Sequence, residues 1–133
     1  MDAVIVGLEE ALLVDGTPEA RLLALVQAYT QKSALTRRRH VTTMNDLKFL
    51  PKALQTPILE AQSQVVEMAS QLLRALKPGM PERVYKPYTM MLIGILNWTD
   101  FWFRPNGPMK ATELCERITR LFLNGYLAAT PDA

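Results

Sequence analysis

Few residues of this sequence carry side chains that could form a reactive centre. His40 is the only histidine and Cys115 the only cysteine among the 133 residues, and no spacing brings the two together. Neither paired catalytic groups nor a set of metal ligands can therefore be assembled. We expect His40 to be a surface residue beside the arginines that precede it. The six glycines are scattered and form no phosphate-binding loop. The sequence predicts no enzyme, no metal site and no cofactor.

Three consecutive arginines, Arg37, Arg38 and Arg39, form a basic cluster with Lys48 and Lys52 nearby in the chain. Guanidinium groups bind phosphate through paired hydrogen bonds, so the cluster is a candidate phosphate site. The alternative is a solvated basic helix end, where cations face the negative pole of the helix dipole. A further arginine, Arg104, lies in the turn 104–108, and we expect it to cap helix carbonyls.

Seven methionines, together with aromatic residues, are a candidate lining for an apolar pocket. The flexible thioether side chain suits cavities of irregular shape. The candidate ligand-binding residues are Met44, Asn45, Phe49, Met68, Tyr88, Met91, Trp98 and Trp102. Asn45 and Tyr88 would supply the polar contacts. The alternative for each residue is a place in an ordinary hydrophobic core.

The elements that would position these residues are helices, because apolar residues recur at helical spacing and no segment alternates like a half-buried strand. The first predicted helix covers residues 3–14 and ends at Asp15-Gly16. Thr17 can cap a second helix, with Pro18 at its first position. That helix runs toward the arginine cluster. Whether it continues through residues 40–43 is left open, because β-branched residues there weaken helix propensity.

Prolines mark the later helices. Pro51 and Pro57 are both placed to open helices, and the clearest periodicity covers residues 57–76. Two further helices are predicted over residues 81–103, where Pro87 should bend the first turns, and over residues 110–127. The predicted fold class is therefore all-α, a bundle of five to six helices in a single domain over residues 1–133.

The last two helices have more apolar surface than one small bundle covers easily. The helix over residues 81–103 is apolar nearly all round, which requires cover on every side. We expect both helices to pack against a second copy in a four-helix interface. The predicted interface residues are Leu114, Ile118, Leu121, Phe122 and Gly125. The alternative is a central core helix in a monomer.

Composition excludes several classes of protein. The net charge is +2, which is too small for a surface that coats nucleic acid. The longest apolar run, Met90 to Leu96, is far short of the roughly 20 residues that cross a bilayer. The N-terminus has no basic signal-peptide region. A single cysteine fits a reducing compartment, so we expect a cytoplasmic protein with no membrane partner.

Several motifs resemble one protein family. The segment GILNWTDFWFRPNG from Gly94 to Gly107, with Glu113-Leu114 and the LFLNG ending at Gly125, resembles the last two helices of the C-terminal domain of TetR-family regulators. Three further features look like the branch that responds to acyl-coenzyme A thioesters. These are the NDLKFLP segment over residues 45–51, Gln62, and the helix start over residues 17–22. The resemblance covers about residues 4 to 127.

This resemblance implies the effector-binding and dimerisation domain of a repressor that releases DNA on binding a hydrophobic effector, such as an acyl- or aryl-coenzyme A thioester. The ligand would lie between the helices that correspond to residues 18–44, 57–76 and 83–103, with its phosphates on the arginine cluster. Residues 1–14 would be the tail of a helix that connects to a DNA-binding head. The resemblance implies that this head, which the chain lacks, is the part that would bind operator DNA. The alternative function is a helical self-association or protein-interaction module without a small-molecule ligand.

Overall fold

The computed structural model describes residues 2–31 and 34–131, with side chains for residues 5–31 and 36–131. Six helices follow one another: α1 (Asp2–Leu12), α2 (Pro18–Thr30), α3 (Ala34–Asp46), α4 (Lys52–Leu76), α5 (Glu82–Trp102) and α6 (Ala111–Leu127). A single 3-10 turn, Leu47–Phe49, connects α3 to α4. No strand occurs in these described ranges, and the predicted all-α bundle of five to six helices is confirmed.

The start of α2 follows the predicted capping pattern. Gly16 has a φ of +128°, a conformation that favours glycine and separates α1 from α2. The Thr17 hydroxyl accepts a hydrogen bond of 3.1 Å from the backbone N–H of Ala20, and Pro18 occupies the first helical position. The turn at Asp15-Gly16 and the cap at Thr17 are thus both confirmed.

The arginine cluster lies on a helix of its own. The prediction of a single helix from Pro18 toward the cluster was wrong, because α2 ends at Thr30 and α3 begins at Ala34. The Thr30 hydroxyl donates to the carbonyl of Val26 at 2.8 Å, a local bond typical of polar residues near helix ends. The question left open over residues 40–43 is settled, since α3 passes through them to Asp46.

Of the two prolines near the start of α4, one opens the helix and the other lies inside it. The Pro51 carbonyl accepts bonds from the N–H groups of Leu54 and Gln55 at 2.9 and 3.0 Å, so the helix begins there. The prediction that Pro57 opens a helix was wrong. Pro57 removes the bond that would reach the carbonyl of Ala53. Both residues are exposed, so water can satisfy that carbonyl.

The core is formed by one face of each long helix. On α4 the predicted apolar stripe is buried at Val65, Met68 and Leu72, while the opposite polar stripe faces solvent. α2 packs along both α1 and α6, and α4 packs along α5 and α1. None of the described helices is both long and apolar enough to span a bilayer.

The end of α6 is fastened to the end of α4. The Lys77 ammonium donates to the carbonyls of Leu127 at 2.8 Å and Tyr126 at 3.3 Å, and also to that of Ala129. These carbonyls lie at the negative pole of α6, where a cation is favourable. The Tyr126 hydroxyl donates to the carbonyl of Leu73 at 2.6 Å. Burial raises the pKa of the Tyr126 phenol.

Candidate functional site

A cavity of about 370 Å³ lies where the end of α2 meets α5 and the start of α6. This volume is at the lower end of the roughly 300–1,000 Å³ typical of ligand pockets. Its walls combine apolar and polar side chains. The lining residues are Gln27, Thr30, Gln31, Arg37, Thr99, Asp100, Phe103, Pro105, Ala111, Thr112, Leu114 and Cys115.

The α2 wall of the cavity supplies most of its uncharged polar groups. Thr30 is half-buried, with its hydroxyl oxygen 3.1 Å from the sulfur of Cys115. Gln27 lies on the last turn of α2, Gln31 follows directly after the helix, and Thr112 lines the same cavity from α6. Among the described residues, the side-chain amides of Gln27 and Gln31 and the Thr112 hydroxyl make no hydrogen bond. These groups are therefore able to bond a polar atom of a ligand.

A buried polar network lies beside the cavity, between α2, α3 and α5. His40 Nδ1 lies 2.7 Å from Asp100 Oδ2, with 11% and 5% of the two side chains exposed. The Tyr29 hydroxyl donates to Asn97, and the Tyr29 ring meets the His40 ring edge-on at 6.5 Å. Burial and the nearby Asp100 carboxylate raise the pKa of the Tyr29 phenol. The network joins α2, α3 and α5.

The prediction that His40 is a surface residue was wrong. The side chain points between α3 and α5, because Asp100 provides an acceptor on α5 at the level where α3 crosses it. A carboxylate accepts the Nδ1 proton, which fixes the ring orientation. Asp100 also lines the cavity, so this buried pair positions one of the cavity walls.

A wider, more open groove of about 1130 Å³ adjoins the cavity and shares Arg37, Asp100, Phe103 and Pro105 with it. Arg38 also lines the groove, but Arg39 does not. Arg104 completes it from the turn after α5. The prediction that Arg104 caps helix carbonyls was wrong, since within residues 2–31 and 34–131 its side chain donates to none.

The structure does not bring the eight predicted ligand-binding residues together. None of the eight is among the described residues that line the 370 Å³ cavity. Met68 belongs to the core, Tyr88 is half-buried with its ring 5.2 Å from that of Tyr126, and Met44 is half-buried on α3. The other five are exposed: Asn45, Phe49, Met91, Trp98 and Trp102. Their role in ligand binding stays a prediction.

Trp98 and Trp102 lie instead on an exposed apolar surface. We name this surface the α5–α6 face, formed by Met91, Gly94, Trp98, Phe101, Trp102, Leu121 and Gly125. On α5, Met91, Gly94, Trp98 and Phe101 follow at intervals of three, four and three, and Trp102 lies four residues after Trp98, which places them on one side of the helix. Trp98, Trp102 and Leu121 line a common shallow groove. Trp98 is 63% exposed and Leu121 75% exposed, so this face is uncovered within the chain.

The predicted interface residues divide into two groups. Leu114, Ile118 and Phe122 are buried in the core of the chain, although Leu114 and Ile118 also line the groove beside Trp98. Leu121 and Gly125 are exposed. A Cβ atom added to Gly125 would meet no other atom within 4 Å, so its surface is open. Their role in an interface stays a prediction.

Apart from Arg37, which was a candidate phosphate-binding residue, none of the residues that line the cavity was predicted from the sequence to bind a ligand. Thr30, Asp100 and Thr112 are ordinary polar residues within amphipathic helices, and no short-range spacing links them. They meet because α2, α5 and α6 pack at one end of the bundle. The signal that could have been used is Asp100, a carboxylate in an otherwise apolar stretch of α5.

The family match and the similar solved structures all point to TetR-type regulators. Residues 15–126 match the family described as tetracyclin repressor-like, C-terminal domain. Comparison with curated protein sequences finds no significant match. Among solved structures, a TetR-family transcriptional regulator from Bordetella parapertussis is similar at 27% identity with a TM-score of 0.83, over 97% of this chain and 68% of its own.

Two further structures share the fold. The TetR family transcriptional regulator PfmR from Thermus thermophilus is 22% identical, with a TM-score of 0.77 over 92% of this chain and 68% of its own. A transcriptional regulator of the TetR/AcrR family from Thermobifida fusca is 24% identical, with a TM-score of 0.70 over 94% of this chain and 67% of its own. This chain thus spans about two thirds of the length of each of these proteins.

Proposed function

The chain belongs to the TetR family of transcriptional regulators through its tetracyclin repressor-like C-terminal domain, and we propose that it is the effector-sensing and dimerisation domain of a cytoplasmic repressor. Members of this family are regulators rather than enzymes, and they act as dimers that bind small-molecule effectors and DNA. In this proposal the operator is bound by a separate N-terminal head, and residues 1–14 are the tail of the helix that leads to it.

Dimerisation would use the α5–α6 face. Large apolar patches on soluble proteins mark interaction sites, and this one carries two exposed tryptophans side by side. Aromatic residues dominate the binding energy of protein interfaces. The open surfaces at Gly94 and Gly125 would allow the helices of a second copy to approach closely. A two-fold axis across the face would then form a four-helix interface.

The effector would bind in the 370 Å³ cavity rather than among the predicted methionines. The observation that supports this is a partly enclosed, mainly apolar space with convergent polar groups on α2 and α6. It has room for about twelve groups of water size, each of which occupies ~30 Å³ in the liquid. An acyl or aryl group of medium length fits that space, and a coenzyme A thioester is the effector class that we propose.

The effector would act on DNA binding through α2. Gln27 and Thr30 of α2 line the cavity, as does Gln31 directly after the helix, and α2 packs along α1, the proposed connecting helix. A ligand that displaces the end of α2 would change the position of α1 and hence the spacing of the two heads. Operator affinity falls only by as much as the ligand prefers the displaced conformation.

The test measures operator binding by the full-length repressor, using fluorescence anisotropy with and without saturating acyl-coenzyme A thioesters and their free acids. We expect at least one ligand to weaken operator binding. Ala111→Trp, which fills the cavity from the exposed start of α6, should abolish the response. Ala53→Trp, on the exposed start of α4, is the matched control and should respond normally. An operator affinity unchanged by every ligand that the protein binds contradicts the proposal.

A further inference from the structure

Three arginines that are distant in the sequence line one groove. Arg37 and Arg38 lie on α3, and Arg104 lies 66 residues further on, in the turn that joins α5 to α6. In the part of the chain that the structure describes, none of the three forms an ion pair with a carboxylate. Guanidinium groups remain charged at any physiological pH, so three positive charges face the same space.

The groove itself contains little negative charge to balance them. Asp100 is the one carboxylate among the described lining residues, and its Oδ2 atom faces His40 at 2.7 Å. Arg37 uses one N–H group to bond the carbonyl of Phe103 at 3.3 Å. Each guanidinium has five N–H donors, so most of the donors in the groove have no acceptor among the described residues.

The turn that carries Arg104 has a defined geometry. The N–H of Gly107 bonds the Arg104 carbonyl at 2.9 Å, and prolines stand at positions 105 and 108. A Cβ atom on Gly107 would lie 3.1 Å from that carbonyl oxygen, closer than atoms normally pack. Glycine therefore allows the tight turn that sets Arg104 opposite α3.

The groove adjoins the cavity. Arg37 and Phe103 belong to the walls of both, so one molecule can occupy the two spaces at once. The cavity suits an apolar group, and the groove suits an anion. A single carboxylate would neutralise one of three arginines, whereas phosphate groups carry more charge and match the guanidinium fork.

We propose that the effector is an amphipathic molecule whose phosphate-bearing head binds Arg37, Arg38 and Arg104 while its apolar tail fills the cavity. The proposal rests on the function proposed above and adds the residues that bind the head. It differs from the prediction that Arg37, Arg38 and Arg39 act together, because Arg104 takes the place of Arg39.

The test is isothermal titration calorimetry with octanoyl-coenzyme A, octanoic acid and coenzyme A alone. Arg38→Gln and Arg104→Gln remove one charge each from exposed positions, and Arg39→Gln, also exposed, is the matched control for charge. We expect each of the first two changes to weaken octanoyl-coenzyme A binding by about tenfold, as for the loss of one charge-assisted contact. Octanoic acid binding should be nearly unchanged, and Arg39→Gln should bind the thioester like wild type.

The conservative change Arg104→Lys gives a second readout. Lysine keeps the charge but loses the planar fork, so binding of the thioester should be weakened less than in Arg104→Gln. Equal affinity for octanoyl-coenzyme A in wild type, Arg38→Gln and Arg104→Gln would overturn the proposal. If octanoic acid still binds in that case, the cavity remains the effector site and the assignment of the head alone fails. If no probe binds wild type, both proposals fail.

Discussion

The replacement Trp98→Ala should separate the proposed dimer. Trp98 is 63% exposed within one chain. A tryptophan side chain buries roughly 150–250 Å², so covering its exposed part removes about 100–150 Å² from water. At ~25 cal/mol per Å² this burial contributes about 3 kcal/mol per protomer. Two symmetric copies double the effect, and even half of that total corresponds to an increase of about a hundredfold in the dissociation constant.

Sedimentation velocity over a range of protein concentrations measures this dissociation constant. The matched control is Phe49→Ala, which truncates an aromatic residue that is 75% exposed but lies on the 3-10 turn, outside the α5–α6 face. We expect Trp98→Ala to become a folded monomer at concentrations where wild type and Phe49→Ala remain dimers. A Trp98→Ala variant with wild-type self-association would refute the assignment of this face to the interface.

Three further changes test the bonds that hold the bundle together. Lys77→Met should lower the free energy of unfolding by about 2 kcal/mol in urea, because α6 loses charge-assisted bonds to its last carbonyls; Lys86→Met, at an exposed lysine, should change it little. Asp100→Ala should cost about 3 kcal/mol, since His40 then loses its buried partner; an unchanged urea midpoint would show that the pair contributes nothing. Folding raises the pKa of Tyr29 above its ordinary 10.0. The neutral phenol therefore makes its full contribution to the free energy of unfolding below pH 10.0, and this contribution is lost as the pH rises further. Tyr29→Phe should therefore flatten the alkaline decline of the melting temperature, and an identical decline would contradict this cause.

The helices were predictable from sequence because their determinants are local. The stripe through Val65, Met68 and Leu72 repeats at the helical period, and Thr17 with Pro18 marks a start whatever packs around it. The errors have local causes too. Proline favours the first turn of a helix, so Pro57 predicts a helix start, but the chain tolerates it inside α4 where the affected carbonyl is exposed.

The site was much less predictable, because its residues meet through packing. His40 and Asp100 are 60 residues apart, and neither position shows a pattern that points to the other. The large apolar residues of α5 were predicted to line a pocket for a related reason. Periodicity shows that α5 is apolar on several sides, but it does not show which side faces a cavity. In the structure Leu92 and Leu96 are buried, which leaves Met91 and Trp98 outside.

The central claim, a dimeric domain that senses an amphipathic effector, is tested most directly by native mass spectrometry of the chain, alone and with octanoyl-coenzyme A. We predict a dimer of about twice the 15.0 kDa chain mass, which retains one thioester per protomer. The Ala111→Trp variant should remain a dimer and retain none, because the added ring occupies the cavity. A monomer that retains no thioester would contradict both the interface and the effector site.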